Sequence, residues 1–155
     1  MNLIGQNARK ASLEKINTKV KNTILKRYAS LLDKKRNFII AENIKDIKFA
    51  LKKGLKNNLI DRLTVNHKKL DNIKDSINNI IKLKDPVDNT LKKWSRPNGL
   101  KIKKVSIPIG VIGVIYESRP NVTSDVASLC FKSGNAVILK GGSEAINTNK
   151  ILAKL

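Results

Sequence analysis

The chain has 155 residues, 41% hydrophobic and only 4% aromatic, with a formal net charge of +20 at pH 7, so it can bury a substantial core and is ordinarily one domain. That charge would suit a polyanion partner, but 26 of the 32 basic residues are lysines strewn among Ile and Asn, and the scattered aromatics form no stacking platform for nucleic acid. One cysteine, Cys130, excludes an intrachain disulfide framework and a Cys-rich metal site and suits a reducing cytoplasm, and no run approaches the ~18 apolar residues of a membrane span.

From about Leu3 to Leu83 apolar residues recur at three and four, which predicts amphipathic helices. Ile24, Leu25, Tyr28, Leu31 and Leu32 mark one face, and Ile39, Ile40, Ile44 and Ile47 the next. Breaks fall at Lys53-Gly54 and at Thr64-Val65-Asn66. A third helical segment, Lys69 to Lys82, carries Leu70, Ile73, Ile77, Ile80 and Ile81 on one side. His67 stands beside the second break with no acidic or thiol neighbours to make it a ligand. Residues 1–100 hold 24 basic against 9 acidic residues, and residues 101–155 hold 8 against 3, so the charge excess is expected on the solvated helix surface.

Asp85-Pro86 closes the helical region, because the proline ring disfavours a helical Asp85. Thr90 to Ser95 and Leu100 to Val105 then alternate around Arg96-Pro97-Asn98-Gly99, a hairpin signal. Val111 to Tyr116 reads as a parallel strand buried on both faces. A helix from about Thr123 to Lys132 follows, with Thr123 a candidate N-cap, and it stops at Gly134-Asn135. Ala136 to Leu139 is a second buried strand before Gly141-Gly142. The final helix, opening near Ser143, runs to Leu155 without a cap, and the chain is expected to be truncated there. Strand, helix, strand and helix make a βαβ unit, whose ligands bind beyond the carboxyl ends of the strands.

Two motifs fall on that rim. Asn121 carries a neutral amide able to direct N–H donors at a developing oxyanion, although Asn also suits a helix's first turn. Lys140, Gly142 and Ser143 would bring an ammonium, a close backbone approach and the open N–H groups of a helix start to a phosphate or ribose, although an ordinary strand-to-helix turn has the same composition. Arg119 could meet an anionic substrate or pair with Glu117 or Asp125. Cys130 lies mid-helix with Val122, Val126 and Leu129 and is expected to be an inert core thiol.

The run IPIGVIGVIYESRPNVTSDVASLCFKSGNAVILKGGSEA closely resembles the gamma-glutamyl phosphate reductase family of the aldehyde dehydrogenase superfamily. The likeness extends back through LKDPVD and LIDRLTVNHKKLDNI to the early RKAS. It implies an α/β, aldehyde dehydrogenase-like fold. Residues 1–84 would be the helical part of the cofactor-binding domain, 85–106 a hairpin of oligomerisation type, and 107–155 the start of the parallel-sheet NADP-binding domain. It also implies a cytoplasmic enzyme of proline biosynthesis that reduces L-glutamyl 5-phosphate with NADPH, works as a homo-oligomer and is coupled to glutamate 5-kinase, with no nucleic-acid or membrane partner. In the resemblance Asn121 matches the oxyanion asparagine and Lys140 the lysine on the adenosine ribose and its phosphate. Ser143 stands where NAD-preferring relatives often carry a ribose-binding Glu, with Glu144 beside it. The family's nucleophilic cysteine has no counterpart here, so these residues alone are expected to be inactive. The other reading is a non-catalytic basic protein that binds a polyanion or nucleotide.

Overall fold

Asparagine side chains start two of the long helices. The computed structural model describes residues 2–155, and its helical half comprises α1 (Asn2–Ser12), α2 (Thr18–Lys34), α3 (Arg36–Lys52), α4 (Asn57–Leu63) and α5 (His67–Lys82). Asn17 accepts from the Val20 amide at 2.9 Å and Asn66 from the Lys69 amide at 2.9 Å, each satisfying a donor that a helix start leaves open. Gly54, at φ 70°, and the extended Thr64 end α3 and α4 where the sequence places breaks.

Leu25 and Leu32 of α2, Ile39 of α3, and Leu70, Ile73 and Ile77 of α5 close into one core. On α3, however, the buried face follows the predicted one only in part. Ile44 is exposed, while Ile39, Asn43, Asp46 and Ala50 are buried. Their spacing is helical, but two members are polar, so a search for apolar residues passes over them.

At the end of α5, Asp85 holds the chain to α2. Its carboxylate lies 3.0 Å from the buried Lys21 ammonium and accepts from the Thr18 hydroxyl at 2.8 Å and the Val87 amide at 3.0 Å. Burial pushes the Asp85 carboxyl up, but the Val87, Thr18 and Lys21 bonds outweigh it and leave it below its ordinary value.

Strands β1 (Thr90–Ser95) and β2 (Lys101–Val105) pair antiparallel as the hairpin. Its turn has Gly99 at φ 84°, with the Gly99 amide donating to the Arg96 carbonyl at 2.9 Å. The linear sequence scatters lysine evenly, but the register opposes Lys92 to Lys104 and Lys93 to Lys103. Folding therefore concentrates charge here rather than only on the helices.

Strand β3 (Val111–Tyr116) runs parallel to β4 (Ala136–Gly141), joined by α6 (Pro120–Lys132). A 3-10 turn, Ser143–Ala145, then leads into α7 (Ile146–Lys154). β4 is two residues longer than the pattern indicated. β3 is not buried on both faces: Ile115 is 81% exposed, because β4 is its one strand neighbour and α1 and α6 lie mainly over β4. Helix α6 starts at Pro120, whose fixed φ suits a first helical position, so Thr123 lies inside the helix and is not its cap. Helix α6 packs on α2 and α5, and α7 packs on α3, so Leu152 of α7 joins the helical core.

Candidate functional site

The two loops at the carboxyl ends of β3 and β4 touch. The Ser118 hydroxyl donates to Glu144 Oε1 at 2.8 Å, so the segments carrying Asn121 and Lys140 meet on one rim. Lys140 and Ser143 are exposed there. Glu144 is tied to Ser118, and its carboxylate occupies the space a Cβ on Gly142 would take. The backbone approach that Gly142 permits is therefore made by the chain's own Glu144. Gly141 is equally constrained: a Cβ there would overlap Asn149 Nδ2 and come within 3.0 Å of the Tyr116 ring.

The expected open amides of the following helix are already taken. Asp46, 1% exposed on α3, accepts from the Asn147 amide at 3.1 Å and the Asn147 side chain at 2.8 Å with one oxygen. With the other it accepts from the Thr148 amide at 2.8 Å and the Thr148 hydroxyl at 2.6 Å. A carboxylate at a helix N-terminus is the favourable placement for its charge. Asn43, one turn away, donates to the Leu63 carbonyl at 2.9 Å and Thr148 Oγ1 at 3.0 Å and accepts from the Val65 amide at 2.7 Å. Together Asn43 and Asp46 fasten the last helix to the helical half. The i, i+3 relation of two polar residues on a face containing Ile39 and Ala50 was the available signal.

Thr123 likewise has a structural task. Its hydroxyl lies 2.6 Å from the Tyr116 hydroxyl and donates to Asn149 Oδ1 at 3.0 Å, linking β3, α6 and α7. Tyr28 reaches Ser124 Oγ at 2.7 Å and the Leu152 carbonyl at 3.2 Å. Its phenol is pushed up to about 12, chiefly by burial, with a smaller upward push from the Asp125 charge against the opposing Ser124 bond.

Cys130 is 6% exposed, and burial raises its thiol above the ordinary value. It is the core cysteine expected, although its neighbour Leu129 faces outward. His67 is exposed and opens α5, and its backbone carbonyl accepts from Arg36 at 3.2 Å. Arg119 is exposed and makes no ion pair with Glu117 or Asp125 among the described residues.

Asn121, in the first turn of α6, donates from Nδ2 to Asp125 Oδ2 at 3.1 Å. One N–H of this exposed amide is thereby engaged. Both residues line a cavity of about 250 Å³ between α6 and the α4–α5 corner, shared with Arg62, Thr64, Lys69 and Asn72. The Lys69 ammonium is committed to the Asp61 carbonyl at 2.5 Å and the Thr64 carbonyl at 2.6 Å, capping the end of α4. Burial lowers its pKa, against a smaller upward pull from Asp61.

No family model matches the chain. A gamma-glutamyl phosphate reductase of Clostridium botulinum (strain Alaska E43 / Type E3) is 47% identical over 154 residues, covering 98% of this chain and 37% of its own. That of Halothermothrix orenii is 50% identical over 153 residues, covering 96% of this chain and 37% of its own. The crystal structure of gamma-glutamyl phosphate reductase from Thermotoga maritima superposes with a TM-score of 0.92 at 42% identity over 95% of this chain and 36% of that one. The chain belongs to the gamma-glutamyl phosphate reductase family. It corresponds to the amino-terminal portion of these reductases and spans about a third of the length of the relatives it matches. A Bacillus subtilis aldehyde dehydrogenase structure, at 16% identity and a TM-score of 0.67, shares the fold alone. The α/β, aldehyde dehydrogenase-like architecture expected of the gamma-glutamyl phosphate reductase family is thus present in this portion. No helix among the described residues is long and apolar enough to cross a membrane.

Proposed function

We propose that these residues form the amino-terminal part of an NADPH-dependent enzyme that reduces L-glutamyl 5-phosphate to glutamate 5-semialdehyde and releases phosphate, a step of proline biosynthesis. The observation that carries this reading is the identity to gamma-glutamyl phosphate reductases across 98% of the chain. Residues 1–84 and 107–155 belong to the cofactor-binding domain, and the hairpin at 85–106 joins a subunit interface.

In this reading Asn121 polarises the 5-carbonyl of the acyl phosphate. Its amide is neutral, needs no counter-ion and is held by Asp125 at 3.1 Å, so donor strength is not spent on reorientation when charge develops on the oxygen. Cys130, buried mid-helix with a raised thiol pKa, is not the nucleophile. A thiolate contributed from outside these 155 residues completes the site. When bound, NADPH supplies the hydride. The exposed Lys140 ammonium and Ser143 hydroxyl fit the sugar and phosphate of such a cofactor, with Glu144 and Gly142 shaping the loop beneath them. Arg119, exposed at the same rim and in no ion pair among the described residues, meets the phosphate of the substrate.

A chimaera tests the reading: this chain followed by the remaining length of the Halothermothrix orenii reductase, assayed for phosphate-dependent oxidation of glutamate 5-semialdehyde with NADP. Turnover is expected, and Asn121→Ala lowers kcat by roughly 100- to 1,000-fold, the loss typical of one oxyanion donor. A folded chimaera without turnover, or one indifferent to Asn121→Ala, overturns it.

A further inference from the structure

We propose that the cavity between α6 and the α4–α5 corner is the subsite for the α-amino-acid head of the substrate, with Arg62 taking the α-carboxylate and Asp125 the α-ammonium. This rests on the reductase reading above and extends it to recognition of the amino-acid head of the substrate.

Three observations on the cavity wall lead there. The first is a charge imbalance at Asp125. Its carboxylate pairs with no Lys or Arg among the described residues, Oδ2 receives one bond from Asn121, and Oδ1 is buried without any partner. A carboxylate left without a cationic partner is costly, and an ammonium lodged in the cavity beside it offsets that charge. The second is Arg62, an exposed residue that lines the same cavity and makes no ion pair or side-chain hydrogen bond within the described residues. A guanidinium fork matches a carboxylate with two parallel N–H donors. Lys69, the other cation of the cavity, is already spent on two carbonyls, so Arg62 is the group available to an anion.

The third is spacing. Asn121 and Asp125 stand four residues apart along α6, about 6 Å of rise. A glutamyl chain spans a comparable length from its 5-carbonyl to its α-nitrogen. Asn121 Nδ2 and Asp125 Oδ2 themselves lie 3.1 Å apart, so a substrate whose carbonyl meets Asn121 keeps its ammonium within reach of Asp125. The volume, about 250 Å³, lies below the roughly 300 Å³ at which pockets for drug-sized ligands begin, and suits an amino acid. Val65, Ile73 and Pro120 supply the apolar wall for the methylenes.

The probe is L-glutamate, titrated into the 155-residue chain and followed by amide chemical-shift changes. Binding on the order of 1 mM is expected, with shifts confined to α6 and the α4–α5 corner. Glutarate, lacking the ammonium, and 4-aminobutyrate, lacking the α-carboxylate, each bind at least about tenfold more weakly, as one lost charged contact requires. Asp125→Asn weakens L-glutamate about tenfold and leaves glutarate unchanged. Arg62→Gln weakens L-glutamate about tenfold and leaves 4-aminobutyrate unchanged.

Absence of L-glutamate shifts, shifts located elsewhere, or equal affinity for all three ligands overturns the proposal. The ligand comparison on the unaltered chain decides even where a variant fails to fold. The two readings separate cleanly: an active chimaera with no glutamate selectivity in this cavity removes the subsite alone, while selective binding beside an inactive chimaera removes the reductase reading alone.

Discussion

The α2–α5 core and the hairpin are built from the same few residue types, lysine among isoleucine and leucine, and reach opposite ends. In the core, helical spacing sends Leu25, Leu32, Ile73 and Ile77 inward together and leaves the lysines outside, apart from the buried Lys21 that pairs with Asp85. In the hairpin, Leu91 is 61% and Leu100 57% exposed, and lysines meet lysines across the strands. A helix pair provides both faces of its own interface, whereas a two-stranded ribbon has nothing to fold onto and must borrow a surface. Composition alone therefore says nothing about which stretch is self-sufficient.

The widest separation between the two regions should appear on truncating isoleucine. Ile77→Ala, at a position with no exposure, should cost about 2–5 kcal/mol in urea unfolding, while Ile115→Ala on the uncovered edge of the sheet stays within about 0.5 kcal/mol. Equal losses would mean that β3 is covered in solution and would erase the contrast.

Next is the carboxylate that ties the last helix to the core. Asp46→Ala strips α7 of its cap and leaves the Thr148 amide and hydroxyl without their acceptor, at a cost of about 3 kcal/mol. Amide exchange should show α7 released before α2 and α5. If all the helices loosen together, the attachment is not local.

A smaller effect is expected in acid. The Asp85 carboxyl is depressed below 3.8 in the fold, so its contribution is complete above about pH 4 and is lost as pH falls through the folded value. Asp33 and Asp71 are also held low, the first by bonds from Lys74 and Arg36 and the second by Arg36, but both lie in solvent and contribute little. Asp85→Asn should flatten the acid limb of a stability curve measured between about pH 5 and pH 2, and an unchanged limb would show that the Lys21 pair does not anchor the helix end.

The smallest change belongs to the hairpin. Lys104→Glu turns a like-charge pair with Lys92 into an opposite one and should stabilise the ribbon by a few tenths of a kcal/mol, fading as salt is added. Salt-insensitive stabilisation would point to packing, not charge.

Much of the architecture was legible because its causes are local. Val111 to Tyr116 is a strand with the predicted bounds, and the turn at Arg96 to Gly99 follows from residues that adopt its dihedrals without help. The helix end before Asp85-Pro86 is of the same kind. Asn121 and Lys140 stood out because strand-to-loop junctions are visible in a pattern of periods. The start of α6 was misplaced because Pro120 and Thr123 both have capping or first-turn chemistry, and Thr123 was recruited instead by Tyr116 and Asn149, the latter 26 residues away.

What the sequence determined by itself is the order and type of the elements, the inert character of Cys130 and the meeting of two loops at one rim. Each depends on period, turn residues or chain direction, which neighbours in sequence settle among themselves. The tertiary structure alone decided that Asp46 caps a helix 102 positions away, that Asp125, with no cationic partner among the described residues, shares a cavity with Arg62, and that lysines confront one another in the hairpin. A hydrogen bond or an ion pair is chosen by distance in space, and no spacing along a chain encodes which helix end will arrive beside which carboxylate.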